Sequence, residues 1–72
     1  MPQIRDKELI RKVALRIKQL REAKGLTQEQ VFNDTYIHIG RIESLRVNPS
    51  ISTLGAIAKY FKISLSEFFK DF

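Results

Sequence analysis

Seventy-two residues carrying a net charge of +5 allow one small domain, residues 1–72, and favour a polyanionic partner. With no cysteine, disulfide staples and thiolate metal sites are excluded, and a reducing compartment fits. The 43% apolar content is too high for a disordered chain. The opening MPQIRDKELIRK lacks the apolar core of a signal peptide, and no window approaches the ~18 apolar residues of a membrane span. The expectation is a cytoplasmic protein with no membrane partner. Two prolines and three glycines leave little room for long loops, which points to an all-α fold.

The charge is unevenly spread. Residues 1–26 hold eight basic and three acidic side chains, whereas residues 27–48 hold Arg41 and Arg46 against Glu29, Asp34 and Glu43. The centre of the chain is therefore slightly acidic.

Taken in chain order, Leu9, Ile10, Val13, Ala14, Ile17 and Leu20 recur at spacings of three and four and predict a helix over about 6–24. Asp6 is its candidate N-cap, and Gly25 is placed to end it in a left-handed conformation. Thr27 and Gln30 have capping-box spacing and open a second helix that runs to about Asp34 or Thr35. Ile39, Ile42 and Leu45 mark a short third helix. Asn48-Pro49-Ser50 is a turn, because proline lacks a helix donor and restricts its predecessor. Ser50 then caps a fourth helix with Ile51, Leu54, Ile57, Ala58 and Phe61 inward. Ser64 and Glu67 form another capping box for a fifth, in which Leu65 and Phe68 face the core.

No catalytic constellation is present. The chain has one histidine, no cysteine and no glycine-rich phosphate loop. His38 lacks the partners a metal site needs. The acidic residues sit mostly beside basic ones at helical spacing, the pattern of a solvated face. The reading is a non-enzyme with no cofactor and no evident small-molecule effector.

Four pieces in order, LREAKGLTQEQ, GRIES, NPSISTLGAIAKYF and ISLSEFF, carry a family resemblance over residues 16–69. The chain resembles the Cro/phage-repressor (xenobiotic-response-element-like) helix-turn-helix family. The resemblance implies a five-helix λ-repressor-like bundle with a central helix-turn-helix. It also implies a transcription regulator, such as a repressor, that binds double-stranded DNA as a homodimer. Thr27 and Gln28 match the start of helix 2, where a glutamine and the helix N-terminus meet a DNA phosphate. Arg21 and Glu43 match an ion pair between helix 1 and the recognition helix. Arg46 and Asn48 match backbone-contacting positions, and Arg41 a base-reading one, for which arginine can bond guanine O6 and N7 together. Ser44 is a further candidate on the exposed face.

One departure from the family pattern matters. Gln28 and Glu43 are three residues closer than is common in the family. In one placement helix 2 stays whole. Tyr36 then takes the usual turn-glycine position, Ile37 is the buried turn residue, His38 caps helix 3, and the recognition helix loses its first turn. In the other, helix 3 starts near Thr35 and helix 2 is shortened. Tyr36 and His38 are candidates to replace lost contacts, or else simply shape the turn, and Gly40 lets backbone approach closely. The shortened segment and acidic centre also admit a protein-interaction module that has kept the fold and lost recognition. Finally, Phe69 and Phe72 exceed what so small a core can bury. They are expected in a homodimer interface, or alternatively folded back against helix 1 near Ile4 and Leu9.

Overall fold

The computed structural model describes residues 5–72, which form five helices and no strand: α1 (Lys7–Ala23), α2 (Gln28–Thr35), α3 (Ile39–Glu43), α4 (Ile51–Tyr60) and α5 (Leu65–Phe68). Each start but one follows from a local side-chain cap. Asp6 accepts from the Leu9 N–H at 3.0 Å, and Ser50 accepts from Thr53 N–H at 3.0 Å. Thr27–Gln30 and Ser64–Glu67 both close as full capping boxes. Such caps satisfy donors that a helix start otherwise leaves open. α3 is the exception, for His38 sits at its N-cap without a side-chain hydrogen bond to the helix.

The ends share one device. Gly25 (φ 68°), Leu45 (φ 65°) and Lys62 (φ 60°) stand left-handed just past α1, α3 and α4. The following N–H then reaches back to a helical carbonyl: Leu26 to Arg21, Arg46 to Arg41 and Ile63 to Ala58, at 2.9–3.0 Å. Only at Gly25 is the conformation free of a Cβ penalty. Leu45, read from its spacing as a helical residue, is instead the residue that stops α3.

The core gathers Val13 and Ile17 of α1, Val31 of α2, Ile39 and Ile42 of α3, Leu54, Ile57 and Ala58 of α4, then Phe61 and Phe68. Three residues expected inside lie outside it: Leu9 is 44% exposed, Ile51 68% and Leu65 37%. All three stand in the first turn of their helices, where the periodicity gives the face but not burial. Phe69 and Phe72 pack against the core, half-buried, with ring centroids 5.0 Å apart. Phe72 meets α1 through the Arg16 guanidinium, 5.2 Å above its ring. This is the folded-back arrangement, with Arg16 as the α1 partner. Ile4 lies outside the described residues.

α3 is held to α1 by the Arg21–Glu43 pair. Arg21 Nε donates to Glu43 Oε2 and Nη2 to Oε1, each at 2.9 Å, while Nη1 donates to the Leu26 carbonyl at 2.9 Å. The bond to Glu43 raises the Arg21 pKa despite the opposing effect of burial. The two side chains are 13% and 7% exposed, which puts the pair with buried bridges rather than surface ones. Removing one partner alone leaves a charge uncompensated, so Arg21→Met or Glu43→Gln is expected to destabilise the fold by about 3 kcal/mol. The double variant Arg21→Met, Glu43→Leu should recover part of that loss. Urea unfolding of the three variants checks this, and single variants as stable as wild type would refute it.

Candidate nucleic-acid interface

The residues singled out by sequence fall around α2 and α3. Thr27 is the α2 N-cap, and its hydroxyl is committed to the Gln30 N–H at 3.1 Å. Gln28 and Glu29 stand in the first turn of the eight-residue α2, where N–H groups have no intrahelical acceptor and the helix dipole is positive. Gln28 crosses from there to α3. Its Nε2 donates to Glu43 Oε1 at 3.1 Å, and its Oε1 lies 2.9 Å from where a Cβ on Gly40 would be. Gly40 thus seats the Gln28 side chain. Arg21, Glu43, Gln28 and Gly40 form one continuous assembly across three helices.

The helix boundaries match the placement in which α2 is whole and α3 loses its first turn. α2 runs unbroken to Thr35, and Tyr36 is left-handed at φ 59°, the conformation for which glycine is usual there. Ile37 is half-buried against the core. Thr35, the cap in the competing placement, is tied into the turn: its hydroxyl donates to Val31 O at 2.8 Å and accepts from Ile37 N–H at 3.0 Å. α3 spans only five residues.

Tyr36, His38, Arg41 and Asn48 line one open hollow of about 470 Å³, with Pro49, Ser50 and Thr53 on its far wall. Tyr36 is 80% exposed. The His38 ring stacks on Phe32 with centroids 4.4 Å apart, and Tyr36 meets Phe32 edge-on at 5.8 Å. Phe32 therefore orients both, a role missed in the sequence although its i, i+4 spacing to Tyr36 signals contact. Arg41 is exposed and, among the described residues, has no acidic partner. Ser44 sits at the α3 C-cap, and its hydroxyl donates to Arg41 O at 3.2 Å. Arg46 is exposed one residue beyond the left-handed Leu45. Gln28 lies directly against Gly40 and bonds Glu43, and neither these residues nor Arg46 line the hollow.

No group of three or more His, Asp or Glu side chains that could hold a metal is found among the described residues. No described helix is long and apolar enough to cross a membrane.

Gly40 supplies a separation of stability from site geometry. Gly40→Ala should raise fold stability by up to about 1 kcal/mol, since alanine favours a helix. The added methyl must displace the flexible Gln28 amide. A variant with an unchanged or higher melting temperature, but a Gln28 side-chain amide shifted in its NMR spectrum, is the expected outcome. An unmoved amide would show that Gly40 does not seat it.

A helix-turn-helix family model matches residues 17–68. The HTH-type transcriptional regulators PuuR of Escherichia coli (strain K12) and of Shigella flexneri are each 37% identical to the chain over 59 residues, covering 78% of it and 32% of their own length. The chain thus spans about a third of the length of these curated relatives. No solved structure matches it.

Proposed function

The chain belongs to the helix-turn-helix family of the Cro and phage-repressor type, and on that premise we propose that it is a sequence-specific DNA-binding transcription regulator acting as a homodimer. The observation that carries the reading is the Gln28 amide, fixed by Glu43 and Gly40 at the α2 N-terminus, one helix away from an exposed and unpaired Arg41. First-turn N–H groups, a helix dipole and a held amide suit a phosphate oxygen. An arginine beside them suits a guanine edge in the major groove. The E. coli and S. flexneri relatives are named as transcriptional regulators, which supports the same role.

Duplex binding is expected to weaken steeply with salt, because phosphate contacts release counterions. Gln28→Ala should weaken all sequences about equally. Arg41→Ala should cost about 1–3 kcal/mol at one preferred base per half-site and relax selection there. Selection from random duplexes, followed by titration of both variants, tests this. No binding to random duplex at low salt would overturn the DNA reading. The five-residue α3 favours the second reading, a protein-interaction module, and that result would leave it standing.

Two-fold partners of this architecture set recognition helices about 34 Å apart. The homodimer is assigned to the apolar hollow of about 350 Å³ around Leu9, Ile51 and Phe69, where exposed Leu9 and Ile51 form the rim. Leu9→Ser, Ile51→Ser should abolish self-association in sedimentation without unfolding the chain, since neither side chain belongs to the buried core. A wild type that stays monomeric at high micromolar concentration would refute the preformed dimer.

A further inference from the structure

We propose that a second phosphate-binding surface lies on the first turns of α1, extending the DNA footprint beyond α2 and α3; this rests on the DNA reading above. The observation is a small hollow of about 200 Å³ lined by Arg5, Lys7, Ile10, Arg11 and Leu45. Three of its five lining residues are cations, and none is an anion. The acidic neighbours in sequence are Asp6, whose carboxylate caps the Leu9 N–H at 3.0 Å, and Glu8; neither lines the hollow. Among the described residues the Arg21–Glu43 bridge is the single ion pair, so Lys7 and Arg11 are not neutralised within the chain.

The hollow is fixed relative to the proposed interface. Arg5 Nη2 donates to the Leu45 carbonyl at 2.9 Å, which ties the start of the chain to the residue that stops α3. Arg46 follows directly, and Asn48 lines the hollow that Arg41 shares. Arg5, Lys7 and Arg11 thus share one hollow with Leu45, the residue that separates α3 from Arg46. A cluster of exposed cations with no ion pair beside a helix-turn-helix matches a sugar-phosphate backbone, whose negative charges repeat at short intervals. The chemistry is that of point-charge and fork contacts to phosphate oxygens, without base discrimination. It also answers the near-neutral centre of the chain, since the charge that α2 and α3 lack is supplied from α1.

The test compares the full chain with Lys7→Ala, Arg11→Ala and with a charge-matched control, Lys59→Ala, Lys70→Ala, whose positions lie on α4 and after α5. All four side chains are exposed, so circular dichroism and melting temperature should be unchanged. On a selected duplex with long flanks, the first variant should bind roughly tenfold more weakly at low salt, with a log–log salt slope smaller by about one to two units. It should keep the same base preferences. The control should retain the wild-type slope, and trimming the flanks should remove the difference between wild type and the first variant. Equal slopes for wild type and the first variant would overturn this surface while leaving the α2–α3 reading intact. An equal loss in the control would overturn it too, by assigning the effect to net charge. A wild type that binds no duplex would overturn both.

Discussion

The carboxylate of Glu43 is the point on which α3 depends. Both of its oxygens are engaged, one by Arg21 Nε and the other by Arg21 Nη2 and Gln28 Nε2. A five-residue helix has too few internal hydrogen bonds to form alone. Its position comes from two buried isoleucines, Ile39 and Ile42, and from this tether. The isoleucines set the depth of α3 but leave it free to rotate, as hydrophobic contact is not directional. A bidentate guanidinium–carboxylate pair is directional, and it fixes that rotation. The same carboxylate also receives Gln28 Nε2 at 3.1 Å. One carboxylate therefore sets both the orientation of α3 and the place of the amide at the α2 N-terminus.

Arginines recur at the ends of helices. Arg21 takes the Leu26 carbonyl past α1, Arg5 takes that of Leu45 past α3, and Arg16 takes those of Glu67, Phe68 and Lys70 around α5. Unpaired carbonyls and the negative end of the helix dipole favour a cation at each place. α5 gains most, for a single turn followed by a left-handed Asp71 has little order of its own. The Arg16 plane also covers Phe72, so the terminal aromatic cluster is held by the same side chain. Part of the basic surplus of residues 1–26 is thus structural. What remains outward is Lys7, Arg11, Lys12, Lys18 and Lys24, together with Arg5, which is exposed and bonds Leu45 O through Nη2.

This division explains what could be read from the sequence. The caps at Asp6, Thr27, Ser50 and Ser64 are contacts over three residues, so their donors and acceptors are visible as spacing. Gly25 is visible because the left-handed conformation selects its residue type. Leu45 and Lys62 adopt the same conformation with no such mark. Arg5 and Arg16 act across 40 to 54 residues, and nothing local separates them from solvated cations. Leu9, Ile51 and Leu65 fail for the complementary reason: periodicity gives the face of a helix but not how far along it the neighbouring layer extends. In the candidate site, the Arg21–Glu43 pair was legible through the family resemblance. The engagement of Gly40 by Gln28 was not, because it joins two helices and nothing in the local spacing marks it.

On the DNA reading, the shortening between Gln28 and Glu43 redistributes recognition. α3 presents Gly40, Arg41 and Ser44 outward; Gly40 is covered by Gln28, and the Ser44 hydroxyl is turned back to Arg41 O. Arg41 is left as the side chain of α3 with free donors. The space before α3 is bordered instead by Tyr36 and His38, both braced on Phe32. An aromatic edge held this way offers apolar contact to a thymine methyl and a hydroxyl for a phosphate or base edge. Tyr36 accepts left-handed backbone strain to stand there, about 1–2 kcal/mol that glycine would avoid. Leu45 and Lys62 accept the same strain at their own helix ends, so backbone conformation alone does not set Tyr36 apart. What distinguishes Tyr36 is that it is 80% exposed on the hollow it shares with Arg41, which on the DNA reading leaves its ring and hydroxyl open to the duplex.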